Sequence, residues 1–255
     1  MFTTELVLLC AAAFCAGLVD AVVGGGGLIQ IPAALVLLPG YPVATVIGTT
    51  KLPSFCGTSI AAYQYSRHVT LNIKRLAIMT SIACISAFTG SKLLTVVSNG
   101  FMKPLLLVVL SLVAIYTYSK KDFGSHTHKE HSPLLELLYT VSISLFIGFY
   151  DGFIGPGAGS FFILALITLL GYDFLRASAN AKFLNLSTNL GSITFFLLSG
   201  RILYMIALPM ALFNALGGFV GARLAILKGN TFIRVFFLVV IVGTLLRFGY
   251  DIFFK

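Results

Sequence analysis

Long apolar runs separated by short polar breaks fill this chain from end to end. They fall at about residues 6–23, 28–38, 42–66, 76–98, 101–118, 134–154, 160–170, 174–199, 202–227 and 232–253. Several reach the ~20 residues that an α-helix needs to cross a bilayer. The runs 28–38 and 160–170 are too short alone and read as half-helices, re-entrant segments or tilted spans. The pattern predicts an all-α polytopic membrane protein with helices broken at glycine-rich motifs. One clearly polar stretch, KKDFGSHTHKEHSP at 120–133, divides the chain nearly in half and reads as a solvated linker. The loop SRHVTLNIKR at 66–75 is basic with no acid, which predicts the cytoplasmic side.

Composition agrees with the pattern. Hydrophobic residues make up 58% and charged residues 10%, against roughly 25% charged in a soluble domain. The first run has neither a basic n-region nor a cleavage site, so it reads as a retained helix. The net charge of +9 would suggest nucleic acid in a soluble protein. Here basic residues flank membrane spans, and no basic run interleaves with aromatics, so no nucleic-acid partner is expected. Cys10, Cys15, Cys56 and Cys84 lie in apolar segments without a CxxC pair and read as small core residues.

The two halves resemble each other at one gapless offset. Asp20 and Asp151 are 131 positions apart, as are Lys51 and Lys182, Gly90 and Gly221, Lys92 and Arg223, Phe101 and Phe232, and Lys103 and Arg234. GY at 40–41 matches 171–172, and LVV at 107–109 matches 238–240. Chance apolar similarity does not keep aspartates, lysines and glycines in step. The expectation is a duplication, with repeats at 1–119 and 134–255 joined by the linker 120–133. Each repeat would hold about four to five spans; four leave the halves parallel and five invert the second, and transporters use both arrangements. The flanking Lys and Arg do not decide between them.

The offset draws attention to polar residues inside the apolar runs. A lysine near the bilayer centre costs about 2.5–3.5 kcal/mol on insertion scales, so Lys51 and Lys182 need a partner, a wet cavity or a snorkelling route. Asp20 and Asp151 are the available counter-ions. Each could neutralise the lysine 31 positions on in its own half, or the lysine of the other half, or carry a coupling proton. Around the lysines lie Thr49, Thr50, Ser54 and Thr58 in one half, and Asn180, Asn185 and Asn189 in the other. Spacings of three, four and seven put several of these on the lysine's helical face. That face suits a small oxyanion, although helix–helix hydrogen bonding would use the same residues.

The glycine tracts supply a second element. GLVDAVVGGGG at 17–27 and GFYDGFIGPGAG at 148–159 each place an aspartate just before a segment that cannot stay a regular helix. Pro156 is favoured in a first helical turn, so GPGAGSFF reads as a break followed by a new helix start. Helix starts present free N–H groups and a positive dipole end, which makes Gly25, Gly26 and Gly157 candidate anion contacts. Tight helix packing is the alternative use of such glycines. No GK[ST] follows, which excludes a nucleotide-binding loop of that type. His126, His128 and His131 in the linker read as solvated residues rather than metal ligands. No paired-carboxylate or Ser–His–Asp arrangement suggests an enzyme, and no cofactor or metal is expected.

GLVDAVVGGGGLIQIPAAL, GTTK, GFYDGFIGPGAGSFF, ANAKFLNLSTN and GGFVGARLA together resemble the TauE/SafE family, the sulfite exporter or toluenesulfonate uptake permeases. The second-half motif is similar to a widespread bacterial branch of unassigned substrate. The resemblance covers almost the whole chain. It implies a bacterial inner-membrane permease with duplicated halves, and substrates that are small sulfur-containing anions such as sulfite and organosulfonates. It places Asp20, Gly24 to Gly27, Lys51, Asp151, Gly155, Gly157 and Lys182 in the shared core. One departure is Thr49, where many members carry Asn.

The sequence therefore reads as a secondary transporter of a small anion, with proton coupling left open. An anion channel and a membrane subunit holding a partner enzyme are the alternative classes. The expected partners are a small anionic substrate and the lipid bilayer, with a homo-oligomer left open.

Overall fold

Helix caps and glycine breaks divide the described residues into nine α-helices in the computed structural model. It describes residues 2–98, 100, 101, 105, 108 and 132–253, with side chains between Thr4 and Lys228. Most of the apolar run 101–118, the linker 120–133 apart from Ser132 and Pro133, its three histidines, and most of the paired matches at 101–109 lie outside the described residues. The helices are α1 (Phe2–Val23), α2 (Gly27–Leu37), α3 (Val43–Ser66), α4 (Ile73–Val96), α5 (Pro133–Ser142), α6 (Gly148–Phe153), α7 (Ala158–Leu170), α8 (Phe174–Leu198) and α9 (Tyr204–Phe253). A short π-helical stretch, Ile143–Ile147, joins α5 to α6 into one rod. Among the described residues there is no strand.

Local chemistry accounts for the starts. Asn72 and Asp173 accept from the backbone N–H groups of Arg75 and Arg176 at 3.1 and 2.9 Å, capping α4 and α8. Ser132 caps α5, with Pro133 in its first turn. The short runs expected at 28–38 and 160–170 are the half-length helices α2 and α7. Helix starts Phe2 and Pro133, Gly27 and Ala158, Val43 and Phe174, and Ile73 and Tyr204 are each 131 positions apart.

Packing interleaves the two halves. α1 and α3 pack on α9, α4 packs on α8 and α6, and α3 crosses α8. Small residues permit close crossings: a Cβ on Gly217 of α9 would lie 2.0 Å from the Phe14 carbonyl oxygen. Val19, Val22, Phe162, Leu166 and Leu184 form the largest core, with smaller apolar clusters around Ile47 and Phe196 and around Leu9 and Met210. The outer surface is apolar as well, with Val7, Ile85, Phe146, Leu198 and Met205 exposed. Water would penalise such a continuous surface, whereas lipid matches it.

Among the described residues, four segments are long and apolar enough to cross a membrane: Thr4–Val23, Ile73–Val96, Pro133–Phe153 and Tyr204–Lys228. α3 and α8 have similar length but carry the lysines and most of the polar side chains singled out above. They occupy the interior between the apolar helices.

Candidate functional site

The two helix breaks meet each other. After α1, Gly24 takes φ +76°; after α6, Gly155, the corresponding position, takes φ +92°. Only glycine adopts that region without strain. The Ser160 N–H donates to the Gly24 carbonyl at 3.1 Å, and Ser160 Oγ donates to the Val23 carbonyl at 2.8 Å. A Cβ on Gly24 would lie 2.3 Å from the carbonyl carbon of Gly159. α2 and α7 therefore start side by side. Pro156 stands in the turn before α7, not in its first helical turn as expected; left-handed Gly157 intervenes, and α7 begins at Ala158. The Tyr150 hydroxyl donates to the Pro156 carbonyl at 2.6 Å and braces this turn.

A small chamber opens at this junction. Gly27 of α2 and Gly157 and Gly159 at the start of α7 line it, so both helix N-termini border the space. Asp20, Lys51 and Asp151 contribute charge to its wall. Thr50, Ser54, Asn185 and Asn189 contribute hydroxyl and amide groups. Its volume is about 30 Å³, where one water needs about 10–15 Å³ on the same measure.

Each lysine pairs with the aspartate of the other half. Lys51 Nζ lies 2.8 Å from Asp151 Oδ1 and donates to the Asp151 carbonyl at 2.7 Å. Lys182 Nζ lies 3.5 Å from Asp20 Oδ2 and also donates to the Asp20 carbonyl. The pairing within each half, one of the two arrangements the sequence allowed, does not occur. Gly155 makes room for the first pair: a Cβ there would lie 3.4 Å from both Lys51 Nζ and Asp151 Oδ1.

The two pairs differ in their surroundings. Asp151 is 4% exposed and accepts a further bond from the Thr188 hydroxyl. Asp20 is 14% exposed, accepting from Thr58 Oγ1 at 3.1 Å and from Asn185 Nδ2 at 3.3 Å. Lys182 is fully buried behind Asp20 and does not line the chamber. Low-dielectric burial strengthens both pairs, and the extra donors satisfy lone pairs that would otherwise be stranded.

Several residues singled out in the sequence lie outside the chamber wall. Thr49 Oγ1 donates to the Thr45 carbonyl at 2.7 Å and accepts from the Leu203 N–H at 3.1 Å. Asn180, its counterpart at the offset, donates to the Arg176 carbonyl at 2.8 Å. Both spend their polar groups on backbone atoms, so the Thr49 departure bears on packing here. Thr58 reaches the chamber only through Asp20. Gly26 packs on α1, where a Cβ would lie 2.6 Å from the Ala16 carbonyl oxygen. Gly25 faces Val19, Leu28 and Ser160.

The family model of the sulfite exporter TauE/SafE matches residues 9–248. The chain belongs to the TauE/SafE family. It is similar to the probable membrane transporter protein ORF9 of a Sinorhizobium species, 37% identical over 95% of this chain and 91% of the relative. It is 35% identical to a probable membrane transporter protein of Haemophilus influenzae, covering 90% of this chain and 88% of that one. YfcA of Escherichia coli K12, also named a probable membrane transporter protein, is 32% identical over 89% and 83%. No solved structure matches. With four apolar segments of spanning length among its described residues, this TauE/SafE chain is an integral membrane protein.

Two buried amides of the TauE/SafE chain escaped the sequence reading. Asn214 Nδ2 on α9 donates to Gln30 Oε1 on α2 at 2.7 Å, and Gln30 Nε2 donates to the Thr50 carbonyl at 3.0 Å. Both are polar residues within apolar runs, which is itself a signal. The offset between the halves does not reveal them, because the corresponding positions hold Phe161 and Ala83.

Proposed function

We propose that this chain is a secondary transporter of the cell inner membrane that carries a small anion through the chamber beside Lys51. One observation carries the reading: two half-helix N-termini and a buried lysine–aspartate pair meet at a single small polar chamber inside an apolar bundle. Helix N-termini favour anions through their free N–H groups and dipole. Lys51 supplies the full positive charge, and Thr50, Ser54, Asn185 and Asn189 supply donors for oxygen atoms. The relatives' names as membrane transporters and the sulfite-exporter family description support this class. They also make a sulfur-containing oxyanion, sulfite or a sulfonate, the first candidate.

Charge balance supports a proton as the coupling ion. Lys51 and Lys182 neutralise Asp151 and Asp20, so an arriving anion would leave the interior one charge negative. An uncompensated charge in that environment is costly. Protonating Asp20 or Asp151 restores neutrality and frees a lysine for the substrate. Asp151 is the carboxylate whose protonation frees Lys51, the lysine in the chamber wall.

We also read the chain as a duplication, with halves 1–119 and 134–255. The common offset of four helix starts, the matching left-handed glycines 24 and 155, and the reciprocal lysine–aspartate pairs support it. Access would alternate as helices of one half move against those of the other, because a chamber this small must open to admit an anion.

The test is a thermal-shift screen of purified protein against sulfite, thiosulfate, sulfonates and carboxylates across pH. A ligand stabilises the state that binds it. A shift with oxyanions that disappears in Lys51→Met is expected; no shift with any anion would contradict the reading.

A further inference from the structure

We infer that Gln30 is a positioning residue for Lys51, oriented by Asn214. This deepens the proposed anion site, because Lys51 is the charge on which that site depends.

The geometry is a three-helix link. Gln30 is 1% exposed and lies in the first turns of the half-helix α2. Its Nε2 holds the carbonyl of Thr50, the residue immediately before Lys51. Its Oε1 is held by Asn214 Nδ2 of α9, itself 2% exposed. An amide has one acceptor end and one donor end, and both ends of Gln30 are in use. The orientation is therefore fixed: turning the amide over would set its oxygen against a carbonyl and its NH₂ against another NH₂.

The surrounding backbone leaves room for this link. A Cβ on Gly57 of α3 would lie 2.0 Å from Asn214 Oδ1, and one on Gly17 of α1 would lie 2.9 Å from it. Two helices thus carry glycine where the Asn214 side chain sits.

The backbone around Lys51 needs such support. Pro53 lies inside α3 two residues after Lys51 and removes the N–H that the Thr49 carbonyl would use. The helix is weakened at the segment that must aim Lys51 at Asp151. Leu203 holds Thr49 from one side and Gln30 holds Thr50 from the other. The second half lacks this device. Its corresponding positions are Phe161 and Ala83, and no proline follows Lys182 within α8. The link therefore belongs to the lysine that lines the chamber, not to the one buried behind it.

A double-mutant cycle tests this without relying on transport. Unfolding of purified protein would be measured for Gln30→Leu, Lys51→Met and the double variant, with Phe161→Leu and Lys182→Met as the comparison cycle. If Gln30 positions Lys51, the double variant loses clearly less stability than the sum of the single losses, since the Gln30 loss includes a weakened Lys51–Asp151 pair. Additive losses, with Gln30→Leu as costly in the Lys51→Met background as alone, overturn the proposal and leave Gln30 as a helix tie only. Where a single variant does not fold, the milder Gln30→Met and Lys51→Arg replace it in the same cycle.

A second readout uses sulfite uptake into proteoliposomes. Gln30→Leu should raise the sulfite KM about tenfold, the equivalent of one well-placed hydrogen bond to a charged group. An unchanged KM in an active variant would contradict positioning. Failure of the wild type to carry sulfite would count against the substrate reading, and the unfolding cycle would still decide the role of Gln30.

Discussion

Lys51 on α3 meets Asp151 on α6, 100 positions later in the chain, at 2.8 Å. Lys182 on α8 reaches back 162 positions to Asp20 on α1. The breaks at Gly24 and Gly155 set the two aspartates on either side of one junction, so each carboxylate lies closer to the other half's lysine than its own.

Removing one partner of the first pair should be far worse than removing both. Lys51→Met strands a buried carboxylate and should cost about 3–5 kcal/mol, whereas replacing both partners with apolar residues is often neutral or stabilising. Lys51→Met/Asp151→Leu should therefore recover most of the stability lost in Lys51→Met. Equilibrium unfolding in mixed detergent micelles measures this. A double variant as unstable as the single one would show that the pair is not the dominant interaction of Lys51.

Partner choice gives a second expectation. Lys182→Met should be rescued by Asp20→Asn, and Asp151→Asn should not rescue it. Coupling energies of contacting residues run to about 0.5–3 kcal/mol, while separated sites add within a few tenths. Equal rescue by both aspartate variants would contradict the crossed pairing.

How much of this was legible in the sequence follows from what a sequence encodes directly. The breaks were legible because glycine and proline mark them locally, and the lysines because charge in an apolar run is costly wherever it folds. The crossed pairing was not. A constant offset is equally consistent with pairing inside each half or between halves, and only the approach of α1 to α8 and of α6 to α3 decides. The bonding of Thr49 and Asn180 was not legible for a related reason. Helical spacing puts them near the lysine face, but it does not reveal that their side chains bond back to Thr45 and Arg176. Gln30 and Asn214 escaped because their value depends on each other, across 184 positions.

The junction of the breaks should tolerate no side chain at its centre. Gly24→Ala adds a Cβ 2.3 Å from the Gly159 backbone at a positive φ, and Gly159→Ala adds one 2.5 Å from the Gly24 carbonyl oxygen. Overpacking of this kind costs typically about 1–3 kcal/mol or more. Gly40→Ala, with nothing within 4 Å, should stay within about 0.5 kcal/mol of wild type. Thermal unfolding of the three variants compares them; similar midpoints would show that α2 and α7 do not start in contact.

The polar cluster away from the chamber should matter much less. Arg75 pairs with Glu136 at 2.5 Å and donates to the Tyr172 hydroxyl at 2.9 Å, while Arg176 lies 4.2 Å over the Tyr172 ring. Both members of the ion pair are partly exposed, at 22% and 35%. Glu136→Gln should thus cost at most about 1 kcal/mol, an effect that shrinks at high salt. Anion uptake should stay at the wild-type level. A collapse of uptake in this variant would relocate function away from the chamber.

The central claim is that an anion passes the junction of the two breaks by engaging Lys51. Sulfite uptake into proteoliposomes, comparing wild type with Lys51→Met/Asp151→Leu, tests it most directly, because that variant removes both charges together and keeps the interior neutral. The account predicts concentrative or exchange uptake by the wild type and loss of at least about 100-fold in the variant, equal to about 2.7 kcal/mol of lost binding to the charge. Wild-type rates in a protein lacking both Lys51 and Asp151 would contradict it.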